Sequence, residues 1–287
     1  MQNQHTILNG DALDQLKTLA DESVNCCVTS PPYWGLRDYG VDGQLGLEKD
    51  YKEYIQKLVL IFREVRRVLK KDGTLWLNLG DCFAKKKMGN IEPKEVVGIP
   101  WRVAFALQED GWRLRSDIIW EKSNAIPEPV RDRPTKGHEY IFLLTKESDY
   151  YYDHESIKEN AVSDHASGNG FKREARRSYN NKDGTPRGNN KQWDNIGGKR
   201  NKRSVWNVSV KPFKEAHFAV FPEDLVTPCV LAGCPEKGIV LDPFLGSGTT
   251  LVVAKKNNRS GIGIELNPEY IKIAEKRLKE TNDSFLF

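Results

Sequence analysis

The chain has 287 residues, 38% hydrophobic and 29% charged, with a formal net charge of +4 and a mean hydropathy of −0.61. A chain of this length buries roughly 75% of its unfolded surface without staples, and suits one large α/β domain with an insertion or two modest domains. This composition excludes wholesale disorder, and no run approaches the ~18 apolar residues of a membrane span. The N-terminal MQNQHTILNGDAL has neither a basic nor an apolar region, so no export signal is expected. Residues 24–30 (VNCCVTS) form an apolar run that meets Pro31-Pro32, which predicts a buried strand delivering its end into a loop. From Tyr51 to Leu69 apolar residues recur at helical spacing, and Lys70-Lys71-Asp72-Gly73 supplies the stop. A strand is predicted at 74–80, a helix around Trp101–Leu107, and strands at 114–120 and 140–145.

The character changes after Lys146. From Asn160 to Ser204 the chain is rich in Gly, Asn and Ser, with almost no apolar periodicity. Eleven basic residues stand there against four acidic ones, a balance of +7, which leaves −3 for the rest of a chain that totals +4. The modest net charge hides a basic insert on a slightly acidic body. Regular patterning resumes near Trp206, with a helix over 221–234 whose first turn holds Pro222, Glu223 and Asp224. A buried strand at 238–244 enters a glycine turn, followed by a helix at 249–256, a strand at 260–266 and a last helix at 269–280. Strands alternating with helices predict a mostly parallel, doubly wound α/β sheet. The cysteines at 26, 27, 82, 229 and 234 fit neither a disulfide framework nor a zinc-finger spacing, so reduced thiols are expected. His138-Glu139 has no second His at ligand spacing, so a loop or core role is expected there and no metal.

Two constellations bear chemistry. Asp242-Pro-Phe244-Leu-Gly246-Ser247-Gly248-Thr249 leaves one strand and opens a helix, and Glu265 ends the next strand. In a parallel sheet both strand ends reach the same edge, so a carboxylate there can hold ribose hydroxyls beside a glycine turn. The third glycine of the dinucleotide fingerprint is replaced by Leu251 and no Walker lysine follows, which points to a nucleoside cofactor without pyrophosphate. The second constellation is Thr29-Ser30-Pro31-Pro32-Tyr33-Trp34. Two prolines fix two φ angles and remove two N–H donors, leaving a rigid array of acceptors with an aromatic at its tip. That array suits a planar substrate bearing an amino group, with Tyr33 on the ring and Ser30 accepting an amino hydrogen.

TSPPYW together with DPFLGSGTT resembles the amino-methylating DNA methyltransferases, which methylate exocyclic amines of cytosine (N4) or adenine (N6) from S-adenosyl-L-methionine. The order, catalytic loop first and glycine motif last with a basic insert between, is similar to the family's β group, of the Ser-Pro-Pro-Tyr type. The resemblance implies a Rossmann-like class I methyltransferase sheet, circularly permuted, with an inserted target-recognition region. Residues 1–146 would form the catalytic half, 147–210 the DNA target-recognition insert and 211–287 the cofactor half. It further implies that Ser30, Pro31, Pro32 and Tyr33 are catalytic. Asp11 would contact the cofactor adenine, Glu265 the ribose, and Asp242, Phe244, Gly246, Ser247, Gly248 and Thr249 would shape the rest of that site. The stretch from His217 to Leu225 resembles the segment bordering the methionine moiety.

The expected reaction is direct in-line transfer to an amine of a base flipped out of duplex DNA, with no covalent enzyme–base intermediate and no role for a cysteine. In the family, Ser at the first position of the tetrapeptide accompanies N4-cytosine methylation, so N4 is expected, with N6-adenine as the alternative. An RNA or protein-glutamine methyltransferase is a more distant alternative, because a Pro-Pro-Tyr loop accepts any planar amine. Lys172, Arg173, Arg176, Arg177, Arg187, Lys199, Arg200 and Arg203 in the basic insert are the expected DNA contacts. Arg131 and Arg133 lie between prolines, where they could meet phosphate, and residues 35–40 could form a lid. The resemblance also brings a homodimer, a cognate restriction endonuclease that is not physically required, and a cytoplasmic setting in a bacterium or a phage-infected cell.

Overall fold

The computed structural model describes residues 3–160, 199–210 and 221–281. Its described residues divide into two units, one of residues up to Ser156 and from Arg203 onward, the other within Ile157–Lys202. The division falls inside the 147–210 segment for a physical reason. Tyr151 and Asp153 donate their backbone N–H groups to the carbonyls of Asp72 and Ala232, which ties the start of that segment to the larger unit.

In the larger unit the chain runs β1 (His5–Asn9), α1 (Ala12–Thr18), β2 (Val24–Thr29), α2 (Tyr51–Val68), β3 (Leu69–Leu79), α3 (Ile99–Glu109), β4 (Arg113–Glu121) and β5 (His138–Thr145). In the smaller unit β6 (Glu159–Asn160) pairs antiparallel with β7 (Lys199–Arg200), and Arg200 Nε meets Glu159 Oε1 at 2.8 Å. The larger unit continues with β8 (Val205–Asn207), α4 (Glu223–Gly233), β9 (Ile239–Asp242), α5 (Thr249–Lys256), β10 (Ser260–Glu265) and α6 (Pro268–Glu280).

Eight strands form one sheet in the order β1-β10-β9-β2-β3-β5-β4-β8. All neighbours pair parallel except at β5, which runs antiparallel to both β3 and β4. Helices α1, α2 and α3 pack in one row, and α4, α5 and α6 in another. Between the rows β2 is buried along its whole length, as a continuous apolar run requires. The principal core joins α2 residues Tyr54, Leu58, Phe62 and Val65 to Leu75, Leu77 and Leu79 of β3. β9 therefore sits beside β2 although most of the chain separates them, and α6, near the other end of the chain, packs on β1 and β10. This is the permuted order expected from the two motifs.

The predicted elements are found, with several differences. Lys70-Lys71-Asp72-Gly73 is not a bare stop: β3 already starts at Leu69, and the register with β2 jumps from Val24↔Leu69 to Cys26↔Thr74, so these residues bulge out of the ladder. Helix α1 and strands β1, β6, β7 and β8 have no counterpart among the predicted elements; all are short, and β1 (HTILN) is only half-buried at the sheet edge. β5 runs antiparallel within a sheet expected to be mostly parallel.

Helix α4 lies close to the sheet because it ends in a glycine. A Cβ at Gly233 would fall 2.3 Å from Trp76 Nε1 and 2.5 Å from Thr74 Oγ1, and both of those side chains are buried. Gly233→Ala is expected to lower unfolding free energy by about 1–3 kcal/mol through overpacking, read as a lower midpoint in urea. An unchanged midpoint would show that α4 can shift without cost.

Candidate active site

The site forms where β9 and β2 lie side by side while their connections depart in opposite directions, the place where open α/β sheets leave a crevice. Thr29 ends β2 and Asp242 ends β9, and the two side chains meet. Asp242 is 3% exposed, and its carboxylate accepts from Thr29 Oγ1 (2.6 Å), Thr250 Oγ1 (2.7 Å) and the Phe244 N–H (3.1 Å). Burial pushes its carboxyl up to about 6, and those three donors pull against the shift. One buried carboxylate thus joins the strand before Ser30, the glycine turn and the first turn of α5.

A cavity of about 350 Å³ opens over this junction, at the lower end of the range for ligand sites. On one side lies the glycine turn. Gly246 (φ 54°) and Gly248 (φ 88°) hold left-handed backbone that an L side chain adopts at a cost. A Cβ at Gly246 would meet nothing within 4 Å, so the turn leaves its space to the cavity, whereas a Cβ at Gly248 would collide with Ala274 of α6 at 2.7 Å. Glu265 stands beside the turn, accepting from the N–H groups of Gly246 (2.7 Å) and Asn267 (2.8 Å), and burial raises its carboxyl. Asp11 caps α1 by accepting from Leu13 and Asp14 N–H groups at 2.9 and 3.1 Å, and it too lines the cavity. Tyr39 and Tyr270 meet edge to face, 6.3 Å between centroids, at the same wall. Two carboxylates, two aromatics and an open glycine turn fit a nucleoside cofactor.

On the other side is the Ser30 loop, with Ser30 and Pro31 to Tyr33 all in the wall. The Pro32 carbonyl accepts from Tyr54 Oη at 2.8 Å, which anchors the loop to α2. The Tyr33 ring lies against Gly80, where a Cβ would come within 2.5 Å. The Tyr33 hydroxyl donates to Glu139 Oε2 (2.5 Å) or Asn78 Oδ1 (2.8 Å), and Ser30 Oγ lies 3.1 Å from Asn78 Oδ1. Asn78 Nδ2 donates to Glu139 Oε2 and to the Tyr140 carbonyl, which fixes the amide so that its oxygen faces Ser30. Lys122 pairs with Glu139 and lies 4.7 Å from the Trp120 ring centre. Burial, then the adjoining Glu139 charge, pushes the Tyr33 phenol well up, so it stays protonated.

The structure thus gathers Asp11, Ser30 to Tyr33, Asp242, Phe244, Gly246, Ser247, Thr249 and Glu265 into one cavity wall. Gly248 stands behind the wall, against α6. The hydroxyls of Ser247 and Thr249 face Arg277 Nη1 at 3.0 Å, so they also fasten α6 to the turn. Asn78, Lys122 and Tyr54 are not among the expected site residues, and the sequence assigns Glu139 a structural role. Asn78 carries a signal, as the lone polar residue between the leucines and tryptophan of LWLNL and only 1% exposed. Lys172, Arg173, Arg176, Arg177 and Arg187 lie outside the described residues, as do residues 217–220 of the stretch from His217 to Leu225. Lys199 and Arg203 are exposed, and Arg200 is held by Glu159. All five cysteines are free; burial pushes Cys26 and Cys27 well up and Cys82 to about 11, which disfavours a thiolate at those three. Among the described residues no cluster of His, Cys, Asp or Glu is suited to a metal, and no helix is long and apolar enough to cross a membrane.

The raised carboxyl of Asp242 has a measurable consequence. The folded state binds this proton more tightly than the unfolded chain does, so the group contributes stability at low pH that is lost as pH rises through about 6. Asp242→Asn cannot titrate. Its stability relative to the native protein should therefore rise between about pH 4.5 and about pH 7.5, by on the order of 2 kcal/mol in urea unfolding. A pH-independent difference would contradict the burial argument.

Comparison with known proteins agrees with this site. A family model described as DNA methylase, for N6 and N4 methyltransferases, matches residues 24–276. The chain is 47% identical over 298 residues to the Type II methyltransferase M.Cfr9I of Citrobacter freundii, covering 96% of this chain and 88% of that one. It is 46% identical to M.SmaI of Serratia marcescens, covering 95% and 90%. Among solved structures, the cytosine-N4-specific PvuII DNA methyltransferase shares the fold, with a TM-score of 0.70 at 20% identity over 99% of this chain and 89% of that one. A putative DNA modification methylase of Thermus thermophilus, complexed with S-adenosyl-L-methionine, aligns with a TM-score of 0.65 at 25% identity, over 98% and 96%. With the family match running from β2 into α6 and these relatives matched over nearly their whole length, the chain belongs to the N6/N4 DNA methylases and is a Type II DNA methyltransferase that uses S-adenosylmethionine.

Proposed function

We propose that this enzyme methylates N4 of a cytosine flipped out of duplex DNA at a specific sequence. The observation that carries the reading is the hydrogen-bond allocation around Ser30. Its single proton has an acceptor in Asn78 Oδ1, and the Tyr33 proton has one in Glu139 Oε2. The lone pairs of Ser30 are then free to accept an amino hydrogen. With the Pro32 carbonyl occupied by Tyr54, the Pro31 carbonyl is the acceptor for the second hydrogen.

The amine of cytosine is a poor nucleophile because its lone pair is delocalised into the ring. Holding both hydrogens favours a pyramidal nitrogen and aims the lone pair across the cavity toward the glycine turn, so positioning supplies much of the rate. Bound S-adenosylmethionine supplies a sulfonium methyl, whose C–S bond breaks with its electron pair left on sulfur as the amine forms the new N–C bond. Asp11 and Glu265 would hold the nucleoside end, and Gly246 and Phe244 the turn beside it. The proton that the amine loses has a path from Ser30 to the Tyr33 hydroxyl, 3.3 Å away, and on to Glu139.

The base is chosen from Ser30, which in the resembling β group accompanies N4 transfer; N6 of adenine presents the same two hydrogens and is the second reading. RNA and protein-glutamine substrates lose support from the membership in a DNA methylase family. The basic stretch from Asn160 to Ser204 is proposed as the target-recognition region, within a permuted chain whose halves are residues 1–146 and 211–287. A homodimer and a cognate endonuclease are further proposals from the resemblance.

Incubation with labelled S-adenosylmethionine and unmethylated DNA, followed by nucleoside mass spectrometry, should yield N4-methylcytosine; N6-methyladenine would keep the mechanism and reassign the base. Ser30→Ala should slow single-turnover transfer by about 10²-fold with cofactor affinity unchanged, and equal activity would remove Ser30 from the mechanism. Deleting residues 165–200 should abolish site-specific methylation but not cofactor binding. Retained specificity in that deletion would place recognition elsewhere.

A further inference from the structure

Two segments rise from the sheet edge beside the catalytic loop. The first, residues 81–97, follows β3 and folds into a small hairpin with bridges Phe83↔Val96 and Met88↔Ile91. It is well anchored. Ala84, Ile91 and Val97 are buried in the main core, and Asp81 Oδ1 accepts from the N–H groups of Gly98 and Ile99 at its root. The second, residues 122–137, joins β4 to β5, and its root residue Lys122 lines the cavity.

The two segments are stapled together. Lys94 meets Asp132 at 2.9 Å, Lys136 meets Asp81 at 3.6 Å, and the Arg133 guanidinium lies 3.7 Å from the Phe83 ring centre while pairing with Glu128. Arg133 is therefore engaged within the protein. Three other cations, Lys85 and Lys86 of the first segment and Arg131 of the second, are exposed and have no ion pair among the described residues. Lys85 Nζ reaches only the carbonyl of Gly35, at 3.5 Å, two residues past Tyr33. That contact places the positive charge next to the catalytic loop.

Ile126, in the second segment, is 86% exposed, the most exposed large apolar side chain among the described residues. Its neighbourhood is stiff. Asn124 is held to Val210 by two hydrogen bonds of 2.8 Å, Ala125 N–H closes a turn on the Lys122 carbonyl, and Pro127 follows. A single exposed isoleucine is ordinary. One presented on a braced loop, four residues along the chain from cavity-lining Lys122 and five before the unpaired Arg131, suits a partner that is anionic outside and apolar between its layers.

We propose that this surface grips duplex DNA beside the cavity mouth, with Lys85, Lys86 and Arg131 on phosphates and Ile126 filling the stack vacated by the flipped base. Apolar wedges of this kind are how proteins hold unstacked steps open. The inference rests on the base-flipping reading above, and it puts a DNA contact on the catalytic body itself, separate from the basic insert.

Two experiments with the full-length enzyme test it. For Lys85→Gln/Lys86→Gln/Arg131→Gln, DNA affinity is measured as a function of salt. Each phosphate contact adds about 0.9 to the slope of log affinity against log salt, so the slope should fall by about 2 to 3, with cofactor affinity unchanged. An unchanged slope would overturn the phosphate contacts. Ile126→Gly should lower kcat/KM on paired DNA by about tenfold, and by much less on a duplex with an abasic site opposite the target, where flipping costs less. Equal loss on both duplexes, or no loss on either, would overturn the wedge. Failure of the unmodified enzyme to methylate any DNA base would instead overturn the underlying reading.

Discussion

The site depends on one buried carboxylate. Asp242 ends β9, and its partners are Thr29 at the end of β2, Thr250 in the first turn of α5, and the backbone of the glycine turn. Taking a carboxylate out of water is costly, and the raised carboxyl of Asp242 records that cost. Three hydrogen bonds, at 2.6, 2.7 and 3.1 Å, offset part of it, and in return two strands from opposite ends of the sequence are locked at their tips. Ser30 follows Thr29 directly, and Gly246 lies four residues beyond Asp242. The lock therefore sets the separation between Ser30, the proposed acceptor of the substrate amine, and the glycine turn proposed to border the cofactor. In-line transfer tolerates little error in that separation.

A second layer of constraint orients Ser30 itself. A serine hydroxyl can point its proton anywhere, and as a free rotor it would donate as readily as accept. Asn78 and Glu139 remove that freedom. The Asn78 amide is held by donating to Glu139 and to the Tyr140 carbonyl, so its oxygen has to face Ser30 and Tyr33. Lys122 keeps Glu139 company as a cation in a half-buried place, where an unpaired carboxylate would be costly. The Tyr33 ring reaches this network only because residue 80 is glycine.

Much of this was legible in the chain. Consecutive residues carry their own geometry: two prolines stiffen the Ser30 loop wherever it is placed, and an alternation of apolar runs marks strands and helices. The continuous run VNCCVTS belonged to a strand covered on both faces, and the helices after Asp50 and Gly248 begin close to where the apolar spacing and the glycine turn place them. The Ser30 loop and the glycine turn were readable for that reason. Asn78, Lys122 and Glu139 were not readable as a set, because they come from β3, the loop after β4, and β5, and only the sheet order brings these elements side by side. Glu139 in particular follows a histidine at a strand start, where local pattern offers a structural role as readily as a functional one.

The sequence by itself determined most of the elements, which residues could accept an amine's hydrogens, and that a nucleoside cofactor was to be expected. It did so because propensity, periodicity and turn chemistry act over a few neighbouring residues. Tertiary structure decided what those residues touch. It reversed β5 between two strands of the other direction, so that Glu139 reaches Tyr33 and Lys122. It turned Ser247 and Thr249 partly to a structural task against Arg277, and engaged Arg133 on Phe83 while leaving Lys85, Lys86 and Arg131 outward. Contacts between residues far apart in sequence depend on strand order, direction and register together, and no local stretch of the chain encodes all three.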